Sequence, residues 1–388
     1  MRIVEVRATA LSAPWERMFG DEVPVSLSRP AASHSVFPRK GQASVLIEIV
    51  GDDGSVGVGE CYGLPDPGPS LQIVERLLAP ALVGESVMAI EYLWTRMMTM
   101  PRGMGMSRGF LMQAISGVDI ALWDLKAKSL GLPLGSLLGG DISASVPCYA
   151  SPVPYLETTE ESQAHAQRFI DRGYSAIKLK VGRGVSTDVA HVAAVRDAIG
   201  PDVRLMLDCN CAYRVREAIQ LARALRDLDI FWLEEPVVAD DHAGLLEVRR
   251  NASMAIATGE NDFSVGGLRD TIVNRAADVI MPNVTRTGGL TGALKIAAFA
   301  EGHGLEIAPH GVGSIVGLAA SLHLMSAIPN GLVYEYNQLP NPLRDELAPL
   351  PEWRDGSLVI PTGLGLGVQL DPDQVSSYSL DRYAPDTY

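Results

Sequence analysis

Residues 175–210 read SAIKLKVGRGVSTDVAHVAAVRDAIGPDVRLMLDCN, and this stretch holds one full structural period. AIKLKV is a short apolar run closed by glycine, which reads as a strand. TDVAHVAAVRDAIG then places Val189, Val192, Val195 and Ile199 on one stripe at helical spacing. VRLMLD is a second strand-like run. The stretch therefore predicts a strand, a helix and the next strand.

The same rhythm continues on both sides. From about residue 146 the runs VPCYA, AIKLKV, VRLMLD, IFWLEE, AIATGE, DVIMPN, LEIAP and LVYEY alternate with helix-like segments. Eight strands with helices between them is the count of a closed parallel barrel. Near the strand ends stand Lys180, Asp208, Glu234, Glu260, Asn283, His310 and Glu335, each 23 to 28 residues after the last. A repeat of that length predicts that all of them reach one rim, and in such barrels the C-terminal rim carries the chemistry.

The chain before the barrel has a different period. Ile3, Val4 and Val6, then SVLIEIV (44–50) and SVGVGE (55–60), alternate apolar and polar residues, with GDDG (51–54) as a hairpin turn. After Pro65, Pro67 and Pro69 the period becomes helical through LQIVERLLAPALVG, SVMAIEYLWTRMM and GFLMQAISGVDIALWDLKAKSLG. Residues 1–130 are thus predicted as an α+β domain and 131–340 as the barrel. The tail 341–388, with NPLRDELAPLPEW and PTGLGLG, is expected to return to the first domain.

Composition narrows the function classes. With 388 residues, 47% of them hydrophobic and 20% charged, the chain can bury a large core and is not a disordered polymer. Lys plus Arg total 32 against 46 Asp plus Glu, a net charge of -14 with no basic run, which argues against nucleic acid. No stretch approaches the roughly 18 apolar residues of a membrane span, and Glu5 and Arg7 break the only candidate signal core. A cytoplasmic protein acting on a small molecule is expected, without membrane partners. Cys61, Cys148, Cys209 and Cys211 are too irregular for a disulfide framework and are expected to be reduced and mostly buried.

Three carboxylates, Asp208, Glu234 and Glu260, end successive predicted strands. Converging on one point they repel unless a cation holds them, and all-oxygen ligation suits a hard divalent ion, most simply Mg²⁺. Lys178 and Lys180 share the inward face of one strand by the period of two. Side by side they should lower each other's proton affinity, moving one toward service as a base; structural salt bridges to the carboxylates are the other reading. His310 follows the seventh strand, opposite Lys180, as a second acid/base group. Asn210 should face the same side as Asp208 and orient a metal ligand or substrate oxygen. Glu335 either hydrogen-bonds a substrate carboxylate when protonated or sits in an ion pair, and Ser151 is a further candidate substrate contact. GVGSIVG (311–317) lacks a Walker lysine and a dinucleotide fingerprint, so its glycines are expected to serve close backbone approach. The remaining histidines, His34, His165, His191, His242, His303 and His323, are expected at the surface. Specificity is expected in cap segments 15–40 and 61–66, with Arg29, His34, Arg39 and Lys40 as candidates.

Taken together, SGVDIALWDLKAKSLGLPLGSLLGG (116–140), KLK, LDCN, WLEEP, TGEN, the TRTGG turn, PLRDEL and GLGLG resemble the enolase superfamily, specifically its mandelate racemase subgroup. The resemblance spans essentially the whole chain and implies a modified TIM barrel, (β/α)7β, under an α+β cap. It implies that Lys180 removes a proton α to a carboxylate, that Lys178 helps bind that carboxylate, and that Asp208, Glu234 and Glu260 hold one Mg²⁺. His310 then matches the opposite-face base or acid and Glu335 the hydrogen-bonding electrophile. The glutamate at 260 favours the racemase subgroup over the muconate-lactonizing one.

One position departs. Where the family usually has an aspartate paired with the histidine, this chain has Asn283. An amide can orient the ring but cannot neutralise an imidazolium, so His310 should be a weaker base. The expected activity is dehydration of a sugar acid by a homo-oligomeric lyase. Racemisation or epimerisation of a 2-hydroxy or amino acid is the alternative, and a non-catalytic acid-binding barrel the non-enzyme one. A metal-dependent amidohydrolase would need a His-x-His on the first barrel strand, which VPCYAS lacks.

Overall fold

The computed structural model describes residues 1–28, 39–154 and 156–380. The predicted antiparallel unit is present as β1 (Ile3–Pro14), β2 (Gly41–Gly51) and β3 (Val56–Tyr62), in the order β1-β2-β3. β2 and β3 form the hairpin around the GDDG turn, with Val45 opposite Ala10 on one side and Cys61 on the other. The helix Phe110–Ser129 lies across this sheet and is buried along most of its length. It approaches so closely at Gly57 and Gly59 that a Cβ there would collide with the backbone of Ala121 or Gly117. The glycines of SVGVGE therefore serve helix-on-sheet contact as well as the hairpin.

Among the described residues the barrel has eight parallel strands: β4 (Ser145–Val153), β5 (Ala176–Lys180), β6 (Arg204–Asp208), β7 (Ile230–Glu234), β8 (Ala255–Thr258), β9 (Val279–Ile280), β10 (Glu306–Ile307) and β11 (Tyr334–Asn337). Each of β4 to β9 pairs with the next, and β11 returns to pair with β4. The ring closes where the Ile307 N–H donates to Asn330 O at 2.8 Å and the Leu332 N–H to Ile307 O at 2.7 Å. A helix follows each of the first seven strands, beginning with Thr159–Asp171 and ending with Ile315–Ala327. This is a (β/α)7β barrel.

Alternation along the strands sorts the side chains. Ile177, Leu179, Leu205, Leu207 and Leu233 belong to the core packed with the outer helices, whereas Tyr149, Ala176, Met206, Trp232, Ala257 and Met281 form a separate apolar cluster in the barrel interior. Lys178, Lys180, Asp208 and Glu234 share the strand face of Ala176, Met206 and Trp232, closer to the C-terminal ends. The charged layer therefore rests on an apolar floor.

The tail divides between two destinations rather than returning only to the first domain. β12 (Trp353–Arg354) and β13 (Ser357–Val359) form a hairpin, and β13 adds antiparallel to the start of β4. Farther on, the Leu366 N–H donates to Asp124 Oδ1 of the long cap helix at 2.7 Å and the Leu380 N–H to Ala10 O of β1 at 2.9 Å. His323 takes part in this join and corrects the surface expectation: it is fully buried, accepting from the Gly135 N–H through Nδ1 at 3.0 Å and donating from Nε2 to Leu366 O at 3.1 Å. His191 is buried as well, while His34 lies outside the described residues.

One buried carboxylate stitches the cap sheet to the barrel. Glu60 on β3 accepts from Ser44 Oγ at 2.7 Å, the Ser314 N–H and Oγ at 2.8 and 2.6 Å, and the Gly317 N–H at 2.7 Å. Ser314 and Gly317 open the helix Ile315–Ala327, where unpaired N–H groups favour an anion. GVGSIVG thus cradles an anion after all, supplied by the protein's own chain.

Candidate active site

The inner face of β5 carries Lys178 and Lys180, and the parallel register sets Lys180 beside Asp208 and Asp208 beside Glu234. Lys180 Nζ donates to Asp208 Oδ2 and to Asn210 Oδ1, both at 2.6 Å. Asn210 lies two residues past Asp208 with φ of 41°, a left-handed conformation that Asn tolerates, and its N–H donates back to Asp208 Oδ1 at 2.9 Å. Lys178 is deeper: its Nζ is 2.9 Å from Glu234 Oε1, 3.0 Å from Glu335 Oε1 and 3.4 Å from Asp208 Oδ2. Trp232, from the interior floor, donates through Nε1 to Glu234 Oε2 at 3.2 Å.

Glu260 follows β8, and one carboxylate oxygen from each of Asp208, Glu234 and Glu260 lies within 4.8 Å of the others. Four carboxylates, counting Glu335, face the two ammoniums of Lys178 and Lys180. Ionised, they leave two negative charges in excess in a buried layer, the charge that one divalent cation cancels. The donor set is all hard oxygen from three strands, which fits Mg²⁺.

His310 stands across the mouth, with Nε2 3.3 Å from Glu260 Oε2 and 3.9 Å from Glu335 Oε2. Asn283, following β9, places Nδ2 2.9 Å from His310 Nδ1. Glu335 also accepts the Gly311 N–H at 3.0 Å and a hydrogen bond from Ser151. A Cβ at position 311 would collide with the Glu335 carbonyl, so the close approach expected of that glycine is real. The candidate catalytic, metal-binding and substrate-contact residues Ser151, Lys178, Lys180, Asp208, Asn210, Glu234, Glu260, Asn283, His310 and Glu335 are thereby in one cluster.

Of the alternatives open for the two lysines and for Glu335, the geometry favours the ion pairs. Burial alone would lower both lysines, but Glu234 and Glu335 hold Lys178 well above the ordinary lysine value, and Asp208 holds Lys180 above it. The expected mutual depression of the two lysines is outweighed because each ammonium sits against carboxylates. Glu335 is likewise not a protonated donor. Burial raises it, yet Lys178, 3.0 Å away, overcomes this and holds it well below the usual carboxylate range, so it is an ion-pair partner. Burial pushes Glu234 up despite Lys178, and pushes His310 down despite Glu260 and Glu335.

Several residues around the site were not assigned from sequence. Glu235 stands behind the triad, its carboxylate bound by Asn261 Nδ2 at 2.9 and 2.8 Å and pushed up to about 8 by burial, then by Glu260 and Asp208. Arg286 reaches Asn261 Oδ1 at 3.3 Å and lies 4.7 Å over the Tyr62 ring and 4.8 Å over Phe263. The second Glu of WLEEP, the Asn of TGEN and the Arg of TRTGG were the available signals. Of the specificity candidates, Arg29 and His34 lie outside the described residues. Arg39 donates to Gln42 Oε1 at 3.1 Å with its guanidinium over Trp15, and Lys40 is exposed. Trp15 and Leu27 pack with Leu339, two residues past β11, so this cap segment does reach the rim.

A (β/α)7β barrel under an α+β cap, with three carboxylates and a K-x-K pair on its rim, defines an enolase-type protein. Residues 161–374 match the family model described as enolase C-terminal domain-like, and residues 22–139 the mandelate racemase / muconate lactonizing enzyme N-terminal domain. The chain belongs to the enolase superfamily, in its mandelate racemase subgroup. It is 35% identical to D-galactarolactone cycloisomerase of Agrobacterium fabrum over 367 residues, covering 91% of this chain and 96% of that protein. It is also 35% identical to L-talarate/galactarate dehydratase of Salmonella typhimurium over 331 residues, covering 84% and 80%. A racemase from Streptomyces coelicolor solved with bound magnesium superposes with a TM-score of 0.86 at 29% identity, covering 97% of this chain and all of that one. No helix among the described residues is long and apolar enough to cross a membrane.

Proposed function

We propose that this protein is a Mg²⁺-dependent acid-sugar dehydratase that begins by removing the proton α to the substrate carboxylate. The observation that carries the reading is Lys180, fixed by Asp208 and Asn210 at the rim beside three convergent carboxylates. Similarity to a galactarate dehydratase supports the substrate class.

Asp208, Glu234 and Glu260 would hold the ion. Bound there, Mg²⁺ supplies charge that stabilises an enediolate and lowers the proton affinity of the neighbouring lysines. Lys178 attracts the substrate carboxylate, with Glu335 and Ser151 fixing the position of the ammonium. Lys180 Nζ takes the α-proton, and the C–H electron pair passes into the enediolate. That pair then forms the C2–C3 double bond as the C3–O bond breaks. The hydroxyl, hydrogen-bonded by His310, leaves as water with the proton that Lys180 carried. The resulting enol becomes a 2-keto-3-deoxy acid. Asn210 positions Lys180 and Asn283 positions His310.

Isomerisation is the second reading, favoured by the 35% identity to a cycloisomerase across 91% of the chain; it shares the first proton transfer. The same proposal takes 1–130 with the tail 341–388 as the cap, 131–340 as the catalytic barrel, and a cytoplasmic homo-oligomer as the working form. A panel of aldonates, aldarates and their lactones, incubated with Mg²⁺ in D₂O, tests it. Keto-acid formation with loss of water supports dehydration, and an isomeric product or α-deuteration without loss of water supports isomerisation. Neither product nor exchange with any member of the panel would leave an acid-binding barrel.

A further inference from the structure

We propose that Asn283 fixes His310 as the tautomer protonated on Nε2, so that the histidine meets the substrate as a hydrogen-bond donor and Lys180 is the base. The inference rests on the proton-abstraction reading above and adds to it the direction of the hydrogen bonds on the opposite face.

The orientation of the Asn283 amide is set at both ends by backbone groups whose roles cannot reverse. Its Oδ1 lies 2.8 Å from the Thr285 backbone nitrogen, which can only donate, and 2.7 Å from Thr285 Oγ1. Its Nδ2 lies 3.1 Å from the carbonyl oxygen of Val312, which can only accept. Flipping the amide would break both contacts inside a site where Asn283 is 1% exposed. Nδ2 has a second hydrogen, and 2.9 Å away stands His310 Nδ1. A donor aimed at Nδ1 requires a lone pair there. A neutral imidazole has one ring proton, which is therefore on Nε2, facing the acceptors Glu260 Oε2 and Glu335 Oε2.

An aspartate at this position would work the other way. Its carboxylate would accept from Nδ1–H, leave Nε2 bare as a proton acceptor, and set an oxygen against the Val312 carbonyl. The amide and that carbonyl are matched to each other. Thr285 and Asn283 are thus positioning residues acting through His310. A ring in this state can hydrogen-bond a departing oxygen, but it has no free lone pair on the substrate side with which to take an α-proton. Proton removal is confined to the Lys180 face, and a two-base racemisation is excluded for this chain.

Two-bond ¹H–¹⁵N spectra of protein labelled with ¹⁵N-histidine test this, because they separate protonated from lone-pair ring nitrogens. The His310 signal is identified by its loss in His310→Asn. With and without Mg²⁺, we expect a lone-pair shift at Nδ1 and a protonated shift at Nε2, and inversion of that pattern in Asn283→Asp. A wild-type spectrum with the proton on Nδ1, or on both nitrogens at neutral pH, overturns the proposal, as does an unchanged pattern in Asn283→Asp. The wild-type spectrum alone decides should the variant fail to fold. No substrate enters the measurement, so its failure leaves proton abstraction standing, and an inactive substrate panel leaves the tautomer standing.

Discussion

Lys180 owes its position to two short contacts, with Asp208 and with Asn210, and its protonation to the carboxylates around it. Replacing it should remove the base without removing the scaffold. Lys180→Ala is expected to lower kcat by at least about 10²-fold, the usual size of a general-base contribution, with an unchanged circular dichroism spectrum. An active Lys180→Ala enzyme would sink the assignment. Lys178→Ala should instead raise KM more than it lowers kcat, because its partners Glu234 and Glu335 place it where a carboxylate binds. The residue types at the rim are legible in the sequence because βα units set a near-constant spacing. Their protonation is not, since it depends on which carboxylate each ammonium meets across strands. The amide orientation of Asn283 is hidden for the same reason: its deciding acceptor, the Val312 carbonyl, lies 29 residues away.

At the scale of elements, parallel strands buried on both faces read as unbroken apolar runs, which is why all eight barrel strands are legible. The tail hairpin is not, because β12 has two residues and β13 three, too few to show a period. The helix joins make two predictions. Glu60 offers only acceptors to three donors at the start of Ile315–Ala327 and a fourth on β2, with a backbone N–H on each oxygen, so Glu60→Gln must turn an NH₂ group toward at least one of them. A loss of about 1–3 kcal/mol in urea unfolding is expected, the cost of a buried unmet donor; equal unfolding curves would show the clamp to be idle. Asp119, on the long cap helix, accepts from the Thr291 N–H and Oγ at 2.9 and 2.7 Å, and burial pushes it up to about 7. A carboxyl raised in the folded state binds its proton more tightly there than in the unfolded chain. Its contribution is complete below about pH 4 and is lost as pH rises through 7. Stability of Asp119→Asn relative to wild type should therefore improve across that window and level off above it.

Across the whole molecule, the charged layer on the barrel floor sets the response to metal. Mg²⁺ at 100 times its Kd should stabilise the fold by about 2.7 kcal/mol if it binds only the native state. Glu234→Gln should lose most of the resulting rise in Tm, measured on protein first stripped with EDTA. Identical melting with Mg²⁺ and with EDTA would count against the site. The Glu60 stitch has a kinetic consequence of its own. Swinging the cap sheet away as a rigid lid would break the three hydrogen bonds that Glu60 accepts from Ser314 and Gly317 across the join, each worth about 1.5–3 kcal/mol to a charged acceptor. A hinged-open form is thereby made scarce. Admission of substrate falls to segments at the mouth, such as the one that Trp15 and Leu27 seat against Leu339. Opening of a segment that closes over a site falls in the same μs–ms range as domain closure, so admission of substrate or release of product can itself set the turnover.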